Sequence, residues 1–212
     1  MADVPHLRPK ARFIVLEGID GSGKSSQVAP LVEWLRGCGH AVVACRDPGA
    51  TPAGDAIRQI LLHRQEIPLA PTTEMLLYMA ARAQLVSAVI APALERGAWV
   101  VSDRYLPANI VYQGHAGALD PEVVRAVGGI ATGGIAPDLV LLLDLDPAAA
   151  TARMDRPLDR LESRGDQFRH RLRAGYLREA AAAPERFEIV DATADMVTVG
   201  EQIRAAVARR LD

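Results

Sequence analysis

Five short apolar runs alternate along the chain with longer stretches whose apolar residues recur near helical spacing. RFIVLEG (12–18) is apolar, β-branched and ends in glycine, which predicts a buried strand. HAVVACRD (40–47), AWVVSDRY (98–105), PDLVLLLDLDP (137–147) and RFEIVDA (186–192) predict four more. Between them, KSSQVAPLVEWLRGCG reads as a helix closed by Gly37 and Gly39, with Pro30 expected to kink or shift it. PGATPAG reads as a turn, followed by helices over DAIRQILLHR and TTEMLLYMAARAQLVSAVIAPALERG, the second interrupted near Pro92. A polar helical segment is expected from about Leu106 to Gly117 and another helix from Pro121 to about Ala131. After AAATARM, the stretch DRPLDRLESRGDQFRHR is dense in charge with no clear apolar face. Helices over LRAGYLREAAAA and VGEQIRAAVARRLD complete the pattern.

Nearly continuous apolar strands alternating with helices indicate an α/β fold, a doubly wound parallel five-stranded sheet flanked by helices. Ligands of such sheets bind at the carboxyl ends of the strands. Gly18–Ser25, Asp47, Asp103–Arg104 and Asp144 all fall there.

Size and charge change this picture little. A chain of 212 residues is expected to be a single domain, 1–212, and large enough for a core without disulfides or a structural metal. The formal net charge of −2 gives no pull toward nucleic acid or membrane, so anion binding must come from local clusters. Cys38 and Cys45 form neither a metal pattern nor a redox pair and read as packing residues in a reducing compartment. MADVPHLRPK has no apolar core of a secretory signal, and the aliphatic run LVLLL (139–143) is too short to span a bilayer. A cytoplasmic location is expected.

The chemistry begins in GIDGSGKS, Gly18 to Ser25, which has the spacing G-x-x-x-x-G-K-S between a predicted strand and a predicted helix. Glycines allow positive φ and bring N–H groups against phosphate oxygens, and the following helix adds its positive end. Gly18, Asp20, Gly21, Ser22, Gly23, Lys24, Ser25 and Ser26 are therefore candidates for holding ATP. Lys24 reaches the outer phosphates, and the Ser25 hydroxyl ligates Mg²⁺. The loop carries a carboxylate, Asp20, and no cation besides Lys24.

LEGIDGSGKSSQ, CRDPGATPAGDAIRQILL, EMLLYMAARAQLV, WVVSDRY, VYQG, PDLVLLLDLDP, DRLE and FRHRLRAGYL stand in the order and spacing of thymidylate kinases, which the chain resembles from about residue 12 to 205. The resemblance implies a P-loop kinase fold with a mobile lid at about 153–165, and transfer of the γ-phosphoryl of ATP to dTMP. By the same resemblance Arg58 and Arg104 hold the acceptor phosphate, as two guanidinium forks suit. Tyr78 takes the place of a phenylalanine stacked on thymine, and Arg82 donates to a carbonyl oxygen of the base. Asn109 pairs with the thymine edge, while Tyr112 and Gln113 lie near the deoxyribose and base, Tyr112 filling the space of a 2′-hydroxyl. Asp20 faces the acceptor's 3′-hydroxyl and the metal's water shell. Asp47 or Asp103 organises the metal, with Asp103 joining Ser25 as the candidate ligand pair.

Members of the family differ in whether the second catalytic arginine sits in the phosphate loop or the lid. With none in the loop, this chain resembles the lid type, and Arg153 and Arg160 are the preferred catalytic pair among Arg153, Arg156, Arg160 and Arg164. Asp47 stands where glutamate is common, Ala50 where many have glycine, and LPAN replaces a serine-rich segment. The resemblance also implies a homodimer, for which the apolar helix 74–91 offers a surface, although its pattern equally fits a core helix. Two other readings remain open on sequence: a deoxynucleoside kinase using Asp47 as base, and a P-loop switch that binds ATP without transferring phosphate.

Overall fold

The computed structural model describes residues 11–155 and 160–211. Its centre is a fully parallel five-stranded sheet in the order β2-β3-β1-β4-β5. The strands are β1 (Phe13–Glu17), β2 (Val42–Arg46), β3 (Trp99–Asp103), β4 (Leu139–Asp144) and β5 (Phe187–Asp191). All five expected strands form, each two to five residues shorter than its apolar run, because the ends of the runs lie outside the ladder. β1 is buried along its whole length, as a central strand covered on both faces must be.

The helices on the two faces are α1 (Lys24–Gly37), α2 (Pro52–Arg58), α3 (Pro71–Leu85), α4 (Ala91–Glu95), α5 (Leu106–Asn109), α6 (Pro121–Thr132), α7 (Pro147–Ala152), α8 (Asp166–Ala182) and α9 (Met196–Leu211). α1 runs through Pro30 without ending. A wide π turn, Val86–Ile90, joins α3 to α4 just before Pro92, so the interruption expected there keeps the chain helical. PGATPAG is only half a turn. α2 starts inside it at Pro52, with the Thr51 hydroxyl accepting the Gly54 N–H at 3.0 Å.

The helical segment expected after β3 forms as α5 and the following π turn, Ile110–His115, and it buries Asn109, Tyr112 and Gln113. One expectation needs correction. The charge-dense stretch does bury apolar residues, Leu161 and Phe168, since α8 begins inside it at Asp166 and continues the face with Leu172. Its buried Arg169, paired with Asp166 at 2.8 Å, hid that face in the sequence pattern.

Pro71–Glu95 is a helix long and apolar enough to cross a membrane by length and composition. It buries Glu74 and Arg82 together with Tyr78 against the rest of the protein, as a core helix does.

Candidate active site

β1 ends at Glu17 and the chain turns through the phosphate loop before α1 begins at Lys24. Gly18, Gly21 and Gly23 all have positive φ. A Cβ on Gly21 would lie 2.2 Å from the Ala150 carbonyl oxygen, so only glycine fits. Ser22 is buried at the turn, donating its N–H to the Ile19 carbonyl at 3.2 Å, whereas Gly23, Ser25 and Ser26 are exposed at the start of α1. Lys24 is folded across its own loop, with Nζ donating to the Ile19 carbonyl at 2.8 Å and 3.9 Å from Asp20 Oδ1. Burial, and next the Arg104 charge, push its ammonium down to about 8.

All nine acceptor-site residues expected from the sequence line one cavity of ≈290 Å³ beside this loop: Asp20, Asp47, Arg58, Tyr78, Arg82, Arg104, Asn109, Tyr112 and Gln113. Lys24, Ser25 and Asp103 line the same cavity. The Ser25 hydroxyl donates to Asp103 Oδ2 at 2.5 Å. An oxygen-only pair of this kind suits a hard dication that takes its other ligands from phosphates and water. Among the described residues no three His, Cys, Asp or Glu side chains cluster to hold a metal by themselves.

The charges of the cavity are mostly matched. Arg104, held at φ 70°, donates to Asp20 Oδ1 at 2.5 Å, the Tyr112 hydroxyl at 3.1 Å and the Tyr176 hydroxyl at 2.9 Å. It also lies 3.6 Å from the fully buried Glu17. The Tyr112 hydroxyl donates to Asp20 Oδ2 at 2.8 Å, and Tyr176 to Glu17 at 2.8 Å. Burial raises the Glu17 carboxyl and works in the same direction on Asp20, where Arg104 and then Lys24 overcome it and hold the carboxyl well below the usual range. Asp20 is thus the counter-charge of the cavity's central arginine as well as part of the loop.

Deeper in, Arg82 Nε donates to Asp47 Oδ2 at 2.6 Å, with both side chains buried. Burial raises the Asp47 carboxyl against the pull of Arg82, and its Oδ1 has no hydrogen-bond partner. Arg58 differs from these arginines. It donates to the Pro48 carbonyl at 2.9 Å, and among the described residues it forms no ion pair with a carboxylate. Burial, and next the neighbouring Arg46, push its guanidinium down from the ordinary value against the weaker pull of Tyr78 and Asp103. Ala50 adopts a left-handed backbone with φ 59°, a conformation that glycine takes at less cost.

Among the described residues, the arginines of the expected lid do not line this cavity. Arg153 donates to the Ala192 and Thr193 carbonyls at 2.9 and 3.1 Å, tying the end of α7 to the loop after β5. Arg160 donates to the Arg64 carbonyl, its Nε is buried without a partner, and its neighbour Leu161 lines the cavity. Arg156 lies outside the described residues. Sequence reasoning missed Glu17, Glu74 and Tyr176. A carboxylate ending a wholly apolar strand was a local signal for Glu17; Tyr176 reaches the site from 159 residues away with none.

A glycine loop between β1 and α1 of a doubly wound parallel sheet, with an arginine-rich cavity alongside, defines a P-loop protein built to bring a second anionic ligand to a nucleotide. The thymidylate kinase family model matches residues 16–203. Thymidylate kinases of Leifsonia xyli and Clavibacter sepedonicus are each 48% identical, over 99% and 91% of this chain and 98% and 92% of their own lengths. The crystal structure of thymidylate kinase from Ehrlichia chaffeensis superposes with a TM-score of 0.79 at 25% identity, covering 94% of this chain and 100% of that one. The chain belongs to the thymidylate kinase family.

Proposed function

We propose that the protein transfers the γ-phosphoryl of ATP to dTMP, giving dTDP and ADP. The observation that carries this reading is Arg58, without an ion pair among the described residues, in the same cavity as Lys24 of the phosphate loop. A neutral nucleoside has no use for that cation; a monophosphate supplies its missing charge. The acceptor phosphate loses its second proton with a pKa of about 6, so its oxygen attacks the γ-phosphorus without a strong base as the bond to the β-phosphate oxygen breaks. Arg58 and Arg104 hold the acceptor phosphate, Tyr78 faces the base, and Lys24 neutralises the outer phosphates of ATP. Mg²⁺ at Ser25 and Asp103 would add neutralising charge on the β- and γ-phosphates. A coupled ADP-release assay with dTMP and with thymidine tests the reading. ADP release stimulated by dTMP is expected, and a preference for thymidine would overturn it.

Of the two preferred lid arginines, Arg160 is the one we assign to the transferring phosphoryl. Its unpartnered Nε and its neighbour Leu161 in the cavity wall support this, whereas Arg153 is spent on two carbonyls. Arg160→Ala should lower kcat about 10³-fold and Arg153→Ala tenfold at most; the reverse order in steady-state kinetics would exchange the roles. We read residues 1–212 as one domain carrying the lid at about 153–165. Exposed Leu76 on α3 with Val123 and Ile130 on α6 supports pairing of two copies across these helices, which sedimentation velocity checks.

A further inference from the structure

Glu74 is almost fully buried on α3, and its two oxygens face different parts of the molecule. Oε2 accepts from Arg164 at 2.8 Å, at the end of the lid segment. Oε1 accepts from Gln113 Nε2 at 3.0 Å. Gln113 Oε1 in turn accepts from Asn109 Nδ2 at 2.7 Å. Asn109 Oδ1, buried in a residue that lines the acceptor cavity, has no partner.

The order of donors and acceptors along this line follows from one end. A carboxylate ion-paired with arginine has no proton to give and only accepts. Gln113 must therefore turn its NH₂ to Glu74 and its carbonyl to Asn109. Asn109 must then turn its NH₂ to Gln113, which leaves its carbonyl oxygen for a ligand. An amide free of such a neighbour offers either end at the cost of a rotation; here each flip would set carbonyl against carbonyl or carboxylate, and bury a lost hydrogen bond.

We propose that Glu74 is a positioning residue for base selection, which through Gln113 fixes the Asn109 amide so that the cavity accepts an N–H from the base and rejects a ring nitrogen that is itself an acceptor. The inference rests on the reading of the cavity as a nucleoside monophosphate site. It gives that site a preference for pyrimidines carrying N3–H, thymine and uracil, over cytosine, whose N3 accepts. Glu74 touches no ligand, and its effect is on which edge Asn109 shows.

The test compares wild type with Glu74→Gln, an isosteric change that lets position 74 donate and frees both amides to turn. Dissociation constants for dTMP and dCMP are measured by calorimetry, beside kcat/KM for each with ATP and Mg²⁺. The dTMP-to-dCMP affinity ratio should fall at least tenfold in Glu74→Gln while KM for ATP stays within twofold. A general loss of packing would weaken both ligands together and leave the ratio in place. Gln113→Met, which cuts the line while leaving Glu74 and Arg164 as they are, should lower the same ratio and serves if the first variant does not fold. A ratio unchanged in the folded variant, or a wild type that binds dTMP no better than dCMP, overturns the inference. Wild-type discrimination in binding without any dTMP-dependent ADP release would sink the proposed reaction instead, while the affinity ratio still decides the role of Glu74.

Discussion

In the proposed reaction the phosphate loop and the acceptor cavity both hold phosphate, and they are built on opposite principles. The loop uses backbone: positive-φ glycines, a helix start and one lysine, drawn from eight consecutive residues. The cavity uses side chains that come from positions 20 to 161 and meet only in the fold. The loop has almost no charge to balance, whereas the cavity has to keep several arginines in a part-buried space. It does so by matching Arg104 with Asp20 and Glu17, and Arg82 with Asp47, and leaving Arg58 without an ion pair among the described residues. The lesson is that an arginine in such a site has two jobs, holding the site together and meeting the ligand: Arg104, paired with carboxylates, is placed for both, and Arg58 for the second alone.

The largest effect should come from the loop. Lys24→Ala removes the single loop cation at the point where negative charge builds in the transition state, and should lower kcat about 10⁴-fold. Because the acceptor cavity keeps its own cations, KM for dTMP should stay within about threefold on the same scale of effects. Single-turnover kinetics separate the two, and a large rise in KM for dTMP would show that loop and cavity are not independent.

Within the cavity, Arg104 and Arg58 should part company. Arg104→Ala leaves Glu17 and Asp20 facing each other without their shared cation, at a cost of about 3–5 kcal/mol. That corresponds to a fall in Tm of about 10 °C for a domain of this size. It should also lower kcat/KM for dTMP by about 10³-fold. Arg58→Ala should raise KM for dTMP by about 10- to 100-fold and leave Tm nearly unchanged, since no carboxylate loses its partner. Differential scanning calorimetry beside steady-state kinetics reads both. Equal Tm losses in the two variants would erase the distinction between a matched and an unmatched arginine.

The same contrast governs what could be read before the fold was known. The five strands and the loop were legible because their signals are contiguous: apolar runs, and an eight-residue glycine pattern. Asp47, Asp103 and Arg104 were legible from their place at strand ends, but the other cavity residues only through resemblance, since nothing local marks Arg58 or Asn109. Where composition alone was used, polarity misled. Asn109 and Gln113 gave no sign in the sequence of their burial, in which their amides bond each other and Glu74. Arg169 masked the apolar face of α8 for the same reason. A polar residue satisfied by a partner far along the chain is indistinguishable, in sequence, from one satisfied by water.

The smallest effect is a pH limb, and it also sets loop against cavity. Lys24 in the free protein titrates at about 8, so kcat/KM for ATP should fall about tenfold per unit above that pH as the loop loses its charge. Bound triphosphate stabilises the ammonium, so kcat at saturating ATP should stay level over the same range. Stability moves the other way. Between about 8 and the ordinary lysine value of 10.5, the native state holds fewer protons at this site than the unfolded chain. The Lys24 contribution to unfolding free energy therefore rises with pH, by about 3 kcal/mol across the window. Cys45 opposes it: burial raises its thiol to about 11, so its contribution falls as pH climbs from 9. Denaturant unfolding of wild type against Lys24→Met cancels the Cys45 contribution. The difference between the two should grow in favour of wild type from pH 8 to 10.5, and a difference flat with pH would mean that Lys24 is not titrating in its loop.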